Sequence, residues 1–169
     1  MRKRNEQQKA EFLQMLTQCQ GILIRLCKVH STEAYTADDL FQDIACALWK
    51  SWPSFKGRCA PRTWALRVAI NVVGLYHRRR RHEPLFVRLD EKALEILAAV
   101  EEEEDNPYYD LLQKLIERLS DDERNLLVLR LERMSIEEIS NITGTGPSAV
   151  KQRLYRIKQK LISMKNEEL

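Results

Sequence analysis

Glycine and proline are scarce in this chain, five of each in 169 residues, and aromatic residues make up only 7%. So few chain-reversing residues argue against a sheet of tight hairpins and against a Pro/Gly-rich disordered chain, while 44% apolar and 31% charged residues suit helices. The expectation is an all-α protein. No run of about 18 apolar residues is present, so no membrane insertion is expected. The start MRKRNEQQKAEF passes into polar residues where a signal peptide needs an apolar stretch, which places the chain in the cytoplasm. None of the four cysteines, Cys19, Cys27, Cys46 and Cys59, forms a CxxC pair, and each suits a reduced thiol in a reducing compartment. Cys27 and His30 are two ligands short of a zinc quartet, so neither a metal nor another cofactor is expected.

Charge is distributed unevenly. Residues 1–83 carry a net +8, residues 84–110 a net −7 and residues 111–169 a net +2. Basic ends around an acidic middle suggest two nucleic-acid-facing modules joined by a segment that avoids phosphate. The expected organisation is two small helical domains, 1–83 and 108–169, with an acidic linker over 84–107.

Helical periodicity places the elements. Phe12, Leu16, Cys19, Leu23 and Leu26 fall on one face of a first helix. Thr36 with Asp39 three residues on is a helix start, after which Leu40, Ile44, Ala47 and Leu48 line a second helix that breaks at Trp52-Pro53. Pro61 opens a third helix running to about Arg80. Beyond the linker, in which 91–100 could turn helical, Leu111, Leu112, Leu115, Ile116 and Leu119 suggest a short helix. Ser120 with Glu123, and Ser135 with Glu138, are capping boxes for two more, the first with Leu126, Leu127 and Leu131 as its apolar face and the second stopping at Thr143-Gly144. Gly146 and Pro147 start the last.

Two of these helices carry chemistry. On the last, Val150, Leu154, Ile157, Leu161 and Met164 fall within about 80° of one another and form a buried seam. Opposite lie Ser148, Gln152, Tyr155 and Gln159, flanked by Lys151, Arg156, Lys158 and Lys160, with Arg153 nearer the seam. No acidic residue lies between Gly146 and Asn166. Amides at the centre of such a face can read base edges in a major groove while cations at its rims hold phosphates, and the short turn TGTG completes a helix-turn-helix. On the third helix a narrow polar stripe, Thr63, Arg67, Asn71, Gly74 and Arg78, runs between two apolar faces into Arg79, Arg80 and Arg81, preceded by Phe55, Lys56 and Arg58. Such a line fits a nucleic-acid backbone laid along the helix, although a wet side of a bundle helix has the same pattern. Asp38, Asp39, Gln42 and Asp43 put acid at the start of the second helix, where it is favourable for the helix itself and suits a basic protein partner.

With those residues in hand, DDLFQDIACALWKSWPSFKG followed by PRTWALRVAINVVGLYHRRRR resembles region 2 of the extracytoplasmic-function group of the sigma-70 family, and LSDDERNLLVLRLERMSIEEISNITGTGPSAVKQRLYRIKQKL resembles its region 4. The resemblance implies a subunit that binds core RNA polymerase and directs promoter recognition and melting, region 2 at the −10 element and region 4 at the −35 element. It assigns Asp39, Leu40, Gln42 and Asp43 to docking on the β′ clamp helices, and Leu127 and Leu131 to the β flap. Phe55, Lys56 and Arg58 match the loop that captures an unstacked −10 base, with Thr63, Arg67, Asn71, Arg78 and Arg79 along the separated strand. Ser148, Lys151, Gln152, Arg153, Tyr155, Arg156 and Lys160 fall on the −35 duplex. An anti-sigma partner is implied too. The sequence departs from the family at Thr145-Gly146, where an apolar residue and Ser are usual, and at Cys59-Ala60-Pro61.

Two other classes compete. An ordinary helix-turn-helix regulator would share the last helices but needs no strand-facing surface. An enzyme would need a catalytic inventory, and the three histidines, His30, His77 and His82, have no paired acids in sequence to act with. No catalytic residue is expected.

Overall fold

The computed structural model describes residues 2–80 and 114–168, and the proposed linker together with Leu111 and Leu112 lies outside them. Among the described residues the only extended pairing is an isolated bridge between Thr32 and Tyr35; everything else regular is helical. Helix α1 spans Arg2–His30, α2 Ala37–Ser51 and α3 Pro61–Arg80, with a 3-10 turn at Trp52–Ser54. After a single helical turn at 114–117 come α4 Asp121–Leu131, α5 Ile136–Thr143 and α6 Pro147–Glu168.

Three helices begin at capping boxes. Thr36, Ser120 and Ser135 accept from the backbone N–H three residues on, while Asp39, Glu123 and Glu138 accept from the cap residue's own N–H. Two otherwise unpaired amide donors are satisfied at each start. Helix α5 ends on Gly144 at φ 69°, a left-handed conformation that only a residue without Cβ takes at little cost.

The end of α4 uses the same geometry with the wrong residue. Met134 N–H reaches Leu129 O at 3.3 Å and Arg133 N–H reaches Arg130 O at 3.0 Å, the two bonds of a Schellman motif, and Arg133 sits at φ 59°. A side chain there crowds the backbone. Arg133→Gly is therefore expected to raise stability by about 0.5–1 kcal/mol, measured by chemical denaturation; an unchanged or lower midpoint would show that the arginine is held there by compensating contacts.

Helices α1, α2 and α3 form a bundle around Cys19, Leu23, Leu26, Leu40, Ile44, Leu48, Ala65, Leu66, Ala69 and Val73, and α4, α5 and α6 pack around Leu126, Leu129, Ile139, Ile142, Val150 and Ile157. These two groups belong to one continuous core, because α4 packs on α1 and α5 packs across α3. The sequence pattern foresaw two modules but not their contact. It explains why α1 buries Ile22, Ile24 and Cys27 in addition to its first stripe: that helix faces three neighbours, α2, α3 and α4. Burial, reinforced by Asp38, pushes the Cys27 thiol up to about 12, so it packs as a small apolar residue.

Polar groups stitch the contact together. Arg124, on α4, donates to Val29 O across the seam and to Ile116, Leu119 and Glu117 carbonyls on its own side, while Arg25 pairs with Glu132. Fully buried His30 places its Nε2 2.9 Å from Asn125 Oδ1 and its Nδ1 2.9 Å from His77 Nε2.

Candidate nucleic-acid interface

Helix α6 presents the face its periodicity called for. Val150, Ile157 and Met164 are buried and Leu154 and Leu161 pack against the core, which leaves Ser148, Lys151, Gln152, Arg153, Arg156, Lys158 and Gln159 exposed. Tyr155 stands 64% exposed at the centre of that face. An aromatic ring so exposed on a helix that has a well-filled seam is free for a partner. The helix begins at Pro147, and its first turn closes with Val150 N–H on Gly146 O at 3.0 Å.

Lys160 behaves differently. Its Nζ lies 2.8 Å from Glu123 Oε2, the same carboxylate that caps α4. Burial alone would raise the Glu123 carboxyl, but the hydrogen bond from Lys160 and the Ser120 backbone hold it below the usual range. This cation braces α6 on α4, so its charge is already shared with a carboxylate within the protein.

In the amino-terminal bundle, Trp52, Phe55 and Trp64 form an aromatic cluster. Trp52 and Phe55 stack at 5.2 Å between ring centroids, and Trp64 meets them at 5.6 and 5.3 Å. Phe55 alone was singled out from the sequence; the two tryptophans that seat it were missed, although their spacing around Pro53 and Pro61 puts them on opposite ends of one loop. Gly57, at φ 68°, turns that loop and leaves Lys56 and Arg58 exposed beside it.

Along α3, Arg67, Asn71, Arg78 and Arg79 are exposed and Thr63 and Gly74 half-buried, opposite the face centred on Ala65, Ala69 and Val73. The stripe is real, but it is not entirely free. Arg67 Nε donates to Asn141 O of α5 at 2.6 Å. Leu75 is exposed instead of buried, so the apolar face that its spacing shares with Trp64, Val68 and Val72 is only partly used, whereas Leu66 and Val73 of the other face are fully buried.

The acidic start of α2 also has internal work. Asp39 caps the helix and Asp43 accepts from the Tyr35 hydroxyl, whose ionisation burial and that bond push far up. Leu40 is fully buried beside Ile44 and Leu48 and offers no side chain to a partner, a correction to the surface set read from the sequence. Gln42 is half-buried and Asp38 likewise, which leaves Asp43 as the exposed acid of the group. On α4, Leu127 is half-buried while Leu131 stands 64% exposed, although periodicity had put it on the buried face.

Two family descriptions match in this order along the chain: Sigma-70 region 2 over residues 15–83 and Sigma-70 region 4 over residues 109–161. The chain belongs to the sigma-70 family. Its features are those of a sigma factor of the extracytoplasmic-function type. It is similar to the RNA polymerase sigma factor CarQ of Myxococcus xanthus, 27% identical over 161 residues that cover 92% of this chain and 87% of that protein. Among solved structures, the sigma factor RpoE from Bartonella quintana, in complex with the anti-sigma factor NepR, shares the fold at a TM-score of 0.70 and 20% identity, over 92% of this chain and 97% of that one. CnrH, in complex with the cytosolic domain of CnrY, shares it at a TM-score of 0.67 and 20% identity, over 95% and 91% of the two chains. Within this sigma factor the aromatic loop and the α3 stripe fall in region 2, and the α6 face falls in region 4. No described helix is long and apolar enough to cross a membrane.

Proposed function

We propose that this sigma factor binds core RNA polymerase in the cytoplasm and directs promoter recognition and melting, itself catalysing nothing, with residues 1–83 on the −10 element, 84–107 as tether and 108–169 on the −35 element. The observation that carries the reading is a pair of unlike surfaces in one chain. The α6 face combines exposed amides, a free tyrosine and cations without an acid among residues 147–165, and suits duplex DNA. The Trp52–Phe55–Trp64 loop followed by Arg67, Asn71, Arg78 and Arg79 suits a separated strand, since half-buried rings at a loop can still stack an unpaired base and a line of donors follows a backbone. Asp43 with Gln42 would meet the β′ clamp helices and Leu131 with Leu127 the β flap.

In the arrangement described, α5 lies across α3 and Arg67 is bonded to Asn141. A strand laid along α3 has to displace that contact, so promoter binding requires the two modules to part. An anti-sigma partner of the kind that accompanies the relatives would act by holding them together.

Co-purification with core polymerase, followed by run-off transcription from promoters mapped across the source genome, tests this reading. Polymerase binding with specific initiation supports it; duplex binding without polymerase binding would make the chain an ordinary helix-turn-helix regulator. For the docking surface, Gln42→Ala with Asp43→Lys is expected to weaken polymerase binding at least ~10-fold, since a charge facing a basic partner is reversed, with the isolated DNA contacts intact. Asp39→Lys is a poorer probe, because loss of its cap also costs about 1 kcal/mol of stability. Unchanged polymerase affinity in the Gln42/Asp43 variant would remove this assignment.

A further inference from the structure

His30, His77 and Asp121 come together at the seam between the two modules, the first two from the ends of α1 and α3 and the third from the first turn of α4. His30 Nδ1 and His77 Nε2 are 2.9 Å apart, His77 Nε2 and Asp121 Oδ1 3.3 Å, and His30 Nδ1 and Asp121 Oδ1 3.9 Å. A tetrahedral ion with bonds of about 2.0–2.1 Å has neighbouring ligand atoms about 3.3 Å apart, so this triangle is already the size of one tetrahedral face.

We propose that His30, His77 and Asp121 bind a divalent cation of the zinc class and thereby clamp the two modules together. Two imidazoles and one carboxylate are a donor set for Zn²⁺, Co²⁺ or Ni²⁺ and not for the oxygen-seeking Mg²⁺ or Ca²⁺. The supporting shell is present. Asn125 Oδ1 can only accept, so His30 donates from Nε2 and turns a lone pair on Nδ1 toward the other two ligands, the arrangement by which second partners orient metal-bound histidines. Asn125 is itself buried, and the sequence gives it no other reason to be polar in the middle of α4. Asp121, with its side chain 38% exposed, opens the fourth position to water and gives an ion its way in. The neighbouring cation, Arg124, is turned onto the carbonyls of Val29, Ile116, Leu119 and Glu117.

This inference stands on the seam geometry and is independent of any promoter reading. The ligands are far apart in sequence: Cys27 is three residues from His30, whereas His77 and Asp121 lie 47 and 91 residues on. Because the ligands come from both modules, an ion held here favours the closed arrangement by mass action.

The test uses the full chain, stripped of metal and carrying Cys46→Ser and Cys59→Ser so that the accessible thiols cannot bind. Cobalt(II) is titrated in while its visible ligand-field absorption is followed, and zinc(II) is then added to displace it. One equivalent of four-coordinate cobalt, displaced by zinc and accompanied by a higher melting midpoint, is expected, with affinity falling at least ~10-fold in both His77→Gln and Asp121→Asn. Asp121 is exposed enough for its variant to fold even if the His77 variant does not, which circular dichroism checks. Cobalt bound equally well by Asp121→Asn, or no saturable binding at micromolar protein, would overturn the proposal.

Discussion

Replacing Gln152 and Arg156 together by alanine is expected to weaken binding to the −35 duplex by about 2–6 kcal/mol, ~30-fold or more, while binding to scrambled duplex falls much less. Both side chains are exposed on α6, on the same side of Tyr155, and among the described residues neither makes a hydrogen bond or ion pair that its loss would break. The helix itself should survive, since its seam of Val150, Ile157 and Met164 is untouched and alanine is the best helix former. Lys160→Ala provides the contrast. Its ammonium is bonded to Glu123, so its removal should lower stability by about 0.5–1 kcal/mol and change DNA affinity little beyond the loss of one nearby charge. Fluorescence anisotropy with specific and scrambled duplexes, at two salt concentrations, separates the cases. Equal losses on both sequences for the Gln152/Arg156 variant would mean that α6 holds phosphates without reading bases, and a large specific loss for Lys160→Ala would assign that residue to the DNA face.

What could be read from the sequence was whatever is decided within one or two helical turns. Three capping boxes, the Gly144 stop and the seam of α6 all depend on residues three or four apart, and all are where the pattern put them. Leu40 shows that two signals in the same sequence can disagree. Family matching assigned it to the polymerase surface, whereas its spacing from Ile44 and Leu48 assigned it to the core, and the periodicity was the better guide because burial is a local geometric consequence. Leu131 errs in the opposite sense. It is the last residue of α4, where the Schellman turn at Arg133 bends the chain away and leaves it largely uncovered.

Contacts between distant segments were not legible. The bonds from His30 to Asn125 and from Arg67 to Asn141 join residues 95 and 74 positions apart, and no periodicity in either helix announces them. His30 read as a lone histidine near Cys27, and Arg67 as a free member of a polar stripe. Each acquires its meaning only when α4 and α5 dock on α1 and α3. The same docking explains why α1 carries more apolar residues than one stripe of a three-helix bundle requires, a surplus visible in the sequence as Ile22 and Ile24 but without an assigned partner.

Leu129→Ala is expected to lower stability by about 2–5 kcal/mol, and to lower it for both modules at once. Leu129 is buried in α4, so truncation removes apolar contacts and leaves a cavity that the surrounding helices fill only in part. What makes the variant informative is the location of the tryptophans. All three, Trp49, Trp52 and Trp64, lie in the amino-terminal bundle, so their fluorescence reports that bundle and is blind to α4, α5 and α6. Circular dichroism reports every helix. If the continuous core makes the two modules one cooperative unit, the tryptophan transition and the helix transition shift together in denaturant, and the midpoint falls on both probes. Were the modules thermodynamically separate, the same substitution would leave the tryptophan midpoint where it was and split the helix signal into two steps. That outcome would show that the seam through His30, Asn125, Arg124 and Arg67 contributes too little to couple the halves, and that the parting required for a strand to reach α3 is close to free. A joint shift instead assigns that parting a real cost, which promoter DNA and polymerase must offset together.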